Sequence, residues 1–259
     1  MLPNFLIVGP PKSGTTSLQL YLSRHPDIFV KGETHFFDRK YNKGLEWYEE
    51  LFKERENEKA VGEKTPAYFY EKDIPSKIKK DLPDVKLLFI FRDPIKRAHS
   101  HYWHNVRHAS EKSKTFEEAI EKKDSEYLEI SKYITYLKKW NKYFPKSKLF
   151  FMTVENLNQD VLRDALGFLD VDTNFKFGEL KKYNVGGAVR STRLAKISQN
   201  NLVKKIPYLS EFIKRGLNMK RGKTPEINEG TKKKLKKYFK KYNKGLSEFT
   251  GLDLNCWDE

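Results

Sequence analysis

Cysteine is nearly absent: Cys256 stands alone among 259 residues, so no disulfide can form within the chain. A lone thiol fits a reducing compartment, and the expectation is a soluble cytoplasmic protein. Apolar runs of the roughly 20 residues needed to span a bilayer are missing too. The sequence opens almost directly on its first strand, with no signal or transit pattern ahead of it. No internal repeat or low-complexity linker divides the chain, which predicts a single domain over residues 1–259. Acidic residues are in short supply, 35 against 51 Lys and Arg, and the formal net charge is +16. Such an excess predicts an anionic partner: a nucleotide, an acidic glycan, a nucleic acid or a membrane surface.

The densest basic run, Lys232 to Lys241, is broken by Leu235, Tyr238 and Phe239, and Tyr242, Leu246 and Phe249 continue the same spacing. That periodicity predicts one helix with an apolar face and a solvated lysine face, not a nucleic-acid-binding tail. Eighteen Phe and fourteen Tyr supply apolar mass for a core, which argues against disorder.

Short apolar runs alternate with amphipathic stretches, the pattern of an α/β fold with a mostly parallel sheet between helices. Strands are expected at 5–9, 28–31, 59–62, 85–91 and 148–154. Helices are expected at 15–24, 45–54, 95–108, 131–143, 159–169 and 231–249. Ligands of such sheets sit beyond the carboxyl ends of the strands, so polar residues just after each strand carry the functional argument.

The first strand runs into FLIVGPPKSGTT, residues 5–16. Strand, glycine-bounded loop and helix N-terminus together wrap a phosphate, because unpaired backbone N–H groups and the helix dipole both favour an anion there. The spacing approaches G-x-x-x-x-G-K-[ST]. Thr15 stands where that pattern has its lysine, however, and the loop's lysine is Lys12, ahead of Gly14. Lys12, Ser13, Gly14, Thr15 and Thr16 are the candidate anion-binding residues.

After the second strand comes Glu33-Thr34-His35-Phe36-Phe37-Asp38. In an extended chain Glu33, His35 and Phe37 share one side, and a carboxylate beside an imidazole is a candidate general base. A charged loop pinned by two aromatics is the plain alternative. Gly62-Glu63-Lys64-Thr65-Pro66 reads by itself as a strand end or surface turn, since Pro66 biases Thr65 to extended backbone. The run 85–91 ends at Arg92-Asp93-Pro94, where Asp93 and Pro94 start a helix. Arg92 at the strand exit and Ser100 about two turns on are candidates for a second phosphate, or Arg92 caps its own sheet edge. His101, His104 and His108 follow helical spacing, but without Cys or an H-E-x-x-H pattern no metal site is expected. Residues 184–191, NVGGAVRS, form a glycine-bearing loop with Arg190 and, just after it, Arg193. It either closes over an anion or serves as a connector.

Taken in order, PKSGTT, ETHFFD, GLEWYEELF, GEKTPAYF, LLFIFRDPIKRAHSHY and the C-terminal LKKYFKKYNKGLSEFTGLDLNCW resemble sulfotransferases that use 3′-phosphoadenosine 5′-phosphosulfate (PAPS). The resemblance is in particular to the heparan sulfate glucosaminyl 3-O-sulfotransferases and their bacterial relatives, and it covers most of the chain. It implies a P-loop type three-layer fold and PAPS as co-substrate, with adenosine 3′,5′-bisphosphate (PAP) as product and no metal. It implies Lys12 at the sulfuryl group and Ser13, Gly14, Thr15 and Thr16 around the 5′-phosphate. Arg92 and Ser100 would take the 3′-phosphate and Arg190 the nucleotide side of the cleft. Glu33 would be the catalytic base, ordered by His35 and Asp38, with Lys64 lining the acceptor cleft. The acceptor implied is a saccharide or glycolipid hydroxyl. The heparan sulfate enzymes carry a disulfide-bearing loop late in the chain, where this sequence has NVGGAVRST and no second Cys. Two alternatives stay open on the residues: a P-loop small-molecule kinase, which would want a lysine after Gly14 and a Mg²⁺ carboxylate, and transfer to a small non-sugar hydroxyl or amine. A non-catalytic module for polyanions would account for the charge but not for Glu33 beside His35.

Overall fold

A computed structural model describes residues 1–180 and 224–258. Five strands are present among them: β1 (Phe5–Ile7), β2 (Ile28–Lys31), β3 (Ala60–Lys64), β4 (Lys86–Phe91) and β5 (Leu149–Thr153). The helices are α1 (Thr15–Leu22), α2 (Gly44–Glu50), α3 (Ile74–Asp81), α4 (Pro94–Arg107), α5 (Phe116–Glu121), α6 (Glu126–Glu129), α7 (Tyr133–Trp140), α8 (Gln159–Phe168), α9 (Glu229–Tyr242) and α10 (Leu246–Thr250). The chain divides into two compact units. The described part of the first comprises Met1–Asp93 and residues 132–180 and 239–258; that of the second comprises Pro94–Ser131 and residues 224–238.

The first unit holds the sheet, in the order β2-β3-β1-β4-β5. All its pairings are parallel. A parallel sheet must be covered on both faces, so β1 and residues 87–91 of β4 are apolar without a break and alternate side chains feed two cores. Along β4, Leu87, Phe89 and Phe91 enter one core, with α3 and α7 supplying Ile74, Ile78, Tyr133, Leu137 and Trp140. Leu88 and Ile90 enter the other, against Leu18, Tyr21 and Leu22 of α1 and Leu162, Ala165 and Leu166 of α8. Trp140 is wholly buried, and its Nε1–H donates to the Phe69 carbonyl at 3.1 Å, so the largest core side chain leaves no polar atom unpaired. The order reverses around β1, which lies between β3 and β4, and this opens the crevice beyond its carboxyl end.

The expected strands and helices are present with ends shifted by a few residues. One expected helix is two: the 231–249 stretch breaks over residues 243–245, where the left-handed Gly245 (φ +81°) turns the chain into α10. The short helices α3, α5 and α6 were not foreseen.

In the second unit the three histidines of α4 do not converge. His101 Nδ1 accepts from the buried Arg97 guanidinium at 3.2 Å, while the His104 and His108 rings pack against each other tilted by 37°, with centroids 4.1 Å apart. Arg97 also donates to Ser131 Oγ and to the Tyr127 carbonyl, each at 2.6 Å. It ties the end of the 94–131 segment back to its start.

Candidate active site

The loop leaving β1 is strained where an anion site needs it to be. Lys12 has φ +72° and Gly14 φ +94°, both left-handed, and between them the Ser13 N–H donates to the Pro10 carbonyl at 3.3 Å, closing a tight turn. A Cβ on Gly14 would stand 2.8 Å from Val154 Cγ2, and one on Gly9 would stand 2.7 Å from the Ile90 carbonyl oxygen. Both glycines are therefore set by close approach of backbone to neighbours. Ser13 is fully buried and its Oγ has no hydrogen-bond partner. A buried hydroxyl is rarely left unpaired, and at the N-terminus of α1 a phosphate oxygen suits it. Arg92 reaches the same loop, donating from Nη1 to the Lys12 carbonyl at 3.4 Å.

The segment after β2 departs from the extended chain expected of it. His35 has φ +54° and residues Phe36–Lys40 form a π-helical turn, so Phe37 turns into the core and does not share a side with Glu33. The two polar residues still meet. His35 Nδ1 lies 2.9 Å from Asp38 Oδ2 and its Nε2 lies 3.4 Å from Glu33 Oε2. The other Glu33 oxygen accepts from Lys64 Nζ at 2.7 Å. Lys64 in turn reaches Thr16 Oγ1 at 3.5 Å. One continuous polar line thus joins Asp38, His35, Glu33, Lys64 and Thr16, linking the base candidate to the anion loop. Within it the Lys64 and Asp38 side chains are each 7% exposed while Glu33 is 43% exposed, open to an incoming group.

The GEKTP segment is not a surface turn. Gly62, Glu63 and Lys64 complete β3, all buried, because β3 lies between β1 and β2 in the sheet. Glu63, which sequence reasoning left without a role, is fully buried and hydrogen-bonded by Thr34, Tyr48, Thr65 and Tyr68. Burial pushes its carboxyl above the usual range, and the hydroxyl bonds oppose that rise. The same burial, together with the Glu63 charge, pushes the Tyr48 and Tyr68 phenols up. The partners of Glu63 come from residues 34, 48, 65 and 68, so no local sequence signal marks it.

Arg92 is fixed from its main chain. Tyr133 Oη donates to its carbonyl at 2.8 Å, and the next N–H, of Asp93, donates to Glu155 Oε1 at 3.0 Å. Trp257 Nε1 donates to the second Glu155 oxygen at 3.3 Å. Ser100 lies half-buried on α4 in the second unit. Arg190 and the 184–193 loop lie outside the described residues. Among the described residues no group of three or more His, Cys, Asp or Glu is gathered to hold a metal ion.

The sulfotransferase domain family matches residues 2–249. The chain belongs to the sulfotransferase family. Similar curated sulfotransferases include human heparan sulfate glucosamine 3-O-sulfotransferase 3B1, 30% identical over 99% of this chain and 65% of its own length. Human heparan sulfate glucosamine 3-O-sulfotransferase 6 is 34% identical over 70% of this chain and 57% of its own length. The chain thus spans less than two thirds of the length of these relatives. Among solved structures, a sulfotransferase from Alicyclobacillus acidocaldarius matches over 100% of both chains, with a TM-score of 0.74 and 25% identity. The mouse sulfotransferase SULT7A1 complexed with PAP matches over 99% of this chain and 87% of its own, with a TM-score of 0.58 and 17% identity. The fold expected from the sequence, a P-loop type central parallel sheet between helices, is the fold these sulfotransferases share with this chain.

Proposed function

We propose that this sulfotransferase moves a sulfuryl group from PAPS to a hydroxyl of a saccharide acceptor by in-line displacement, with Glu33 as general base. The observation that carries this reading is the bond pair Glu33–Lys64 and Lys64–Thr16, which puts the exposed carboxylate one side chain from the donor loop. The acceptor oxygen forms a bond to sulfur as the bond from sulfur to the phosphate oxygen of the nucleotide breaks. Glu33 takes the hydroxyl proton, and the leaving phosphate oxygen takes up negative charge. Lys12 and the loop N–H groups meet that charge, which is where preorganised donors lower a barrier most. Ser13, Gly14, Thr15 and Thr16 hold the 5′-phosphate, and Arg92 holds the 3′-phosphate. His35, held by Asp38, orients the Glu33 carboxylate. Lys64 spans base and loop at the acceptor entrance. The saccharide reading is supported by the two heparan sulfate glucosamine 3-O-sulfotransferases above and by the net charge of +16.

The test is Glu33→Gln, assayed with radiolabelled PAPS on heparan sulfate and on p-nitrophenol, with PAP affinity measured alongside. Loss of about 10²-fold or more in kcat with PAP affinity retained is expected for a positioned general base. Turnover near wild type in Glu33→Gln removes the base assignment. Preference for p-nitrophenol removes the saccharide assignment and leaves sulfuryl transfer standing. The kinase alternative left open by the residues alone is closed by the sulfotransferase domain match over residues 2–249.

A further inference from the structure

Past Lys31, the segment that carries the base has left the sheet, so its backbone N–H groups need other acceptors. Thr34 N donates to Glu63 Oε2 at 3.3 Å, Phe36 N to Thr34 Oγ1 at 3.2 Å and Phe37 N to Tyr68 Oη at 3.1 Å. Each of these leads to one atom group. Glu63 Oε2 also accepts from Thr34 Oγ1 at 2.5 Å and Thr65 Oγ1 at 2.8 Å, and Oε1 from Tyr48 Oη at 2.5 Å and Tyr68 Oη at 3.1 Å. Thr34 Oγ1 and Tyr68 Oη, each receiving a backbone N–H, turn their own protons to the carboxylate. A carboxylate fits this ring because it only accepts. A carboxamide would set an N–H₂ against donors.

Thr34 is the residue between Glu33 and His35, so its N–H and hydroxyl fix the peptide on which the base stands. The left-handed His35 backbone follows directly. Successive residues of a strand point to opposite sides. Glu63 therefore faces down, beneath Thr34, while Lys64 faces Glu33. One strand end sets the base from both sides, an anion under its peptide and a cation against its carboxylate.

We infer that Glu63 is a positioning residue for sulfuryl transfer: through Thr34 it sets where Glu33 and His35 stand relative to Lys64 and the donor loop. The inference rests on the base assignment above. Glu63 touches no reacting atom. Its effect is on orientation, where displacement of a reacting group by about 1 Å costs on the order of 10²-fold in rate.

The test compares Glu63→Gln, Thr34→Val and Thr34→Ser with wild type, and includes Glu33→Gln in parallel. Measured are kcat on heparan sulfate at saturating PAPS, PAP affinity, and amide exchange of peptides spanning residues 33–38. Expected are a kcat loss of about 10- to 100-fold in Glu63→Gln and Thr34→Val, PAP affinity within threefold of wild type, and faster exchange at 33–38. Thr34→Ser, which keeps the hydroxyl, stays within about threefold of wild type in kcat. Wild-type kcat in Thr34→Val overturns the inference, as does loss of PAP affinity in step with kcat, or equal loss in Thr34→Ser and Thr34→Val. If Glu63→Gln does not fold, the two Thr34 variants decide. An active Glu33→Gln refutes the base assignment separately. If wild type leaves heparan sulfate unmodified, the saccharide reading has failed and exchange decides: unchanged protection at 33–38 in Thr34→Val overturns the role of Glu63.

Discussion

Replacing Gly14 by alanine probes the donor loop at its tightest point. Two separable effects oppose the new methyl group. The backbone sits at φ +94°, a left-handed conformation that costs a residue with a Cβ about 1–2 kcal/mol. The Cβ would also lie 2.8 Å from Val154 Cγ2 and 3.2 Å from Val154 Cβ, and overpacking of this kind costs about 1–3 kcal/mol. Together they predict a loss of about 2–5 kcal/mol. For a chain of this size that is about 4–20 °C in Tm. Val154→Ala removes the obstructing γ carbons at a cost of its own near 1 kcal/mol for two partly buried methyl groups. The double variant should then recover the part due to the γ carbons, a coupling of about 1–3 kcal/mol, leaving the backbone part and the 3.2 Å approach to the Cβ at 154. Urea unfolding of the four proteins reads the cycle, and PAP titration reads the loop. Affinity should drop at least about 10-fold in Gly14→Ala, or 1.4 kcal/mol, and return only in part in the double variant. A cost below 1 kcal/mol for Gly14→Ala, or strictly additive effects with Val154→Ala, would refute the reasoning.

On the proposed role of Arg92 at the 3′-phosphate, Arg92→Ala should weaken PAP far more than adenosine 5′-phosphate, by about 10-fold or more; equal losses in calorimetric titrations would show that Arg92 serves the loop alone. Glu111 is held at a pKa of about 2: burial pushes it up, and the bonds from Tyr127, the Ser113 N–H and Lys122 outweigh that. A depressed carboxylate stabilises the fold above its unfolded value near 4.5 and stops doing so as pH falls toward 2. Glu111→Gln should therefore lower stability at pH 7 and flatten the acid limb between pH 4.5 and 2, read by circular dichroism; an acid limb of unchanged slope speaks against the assignment.

The donor loop was legible because strand, glycine-bounded turn and helix start are local features written within twelve residues, 5–16. The Glu33–His35 contact was legible for the same reason, although the geometry that produces it was not. An extended chain would have set Phe37 beside them, whereas the left-handed His35 and the turn at 36–40 bury it. Glu63 was out of reach. Its four side-chain partners come from residues 34, 48, 65 and 68, and nothing in the polar string GEKTP reports that aromatic hydroxyls will close over it. The break at Gly245 was written in Asn-Lys-Gly, but the lysine-and-aromatic periodicity on either side favoured one long helix.

The alternation along β3 makes that strand a yardstick for how the protein can diverge or be redesigned. Leu6 pairs with Glu63 and Ile7 with Lys64 on one side, and Lys31 with Glu63 on the other. A single-residue insertion or deletion between Ala60 and Lys64 would trade the two charged residues between faces. A deletion would bring the Lys64 ammonium to the buried hydroxyl ring, and an insertion would set the Glu63 carboxylate against that of Glu33. Residues 56 and 57, just upstream, are exposed and lie outside the strand, where a change of length leaves the β3 register intact. Length changes are therefore tolerated ahead of β3, at its amino end, and not within the strand itself.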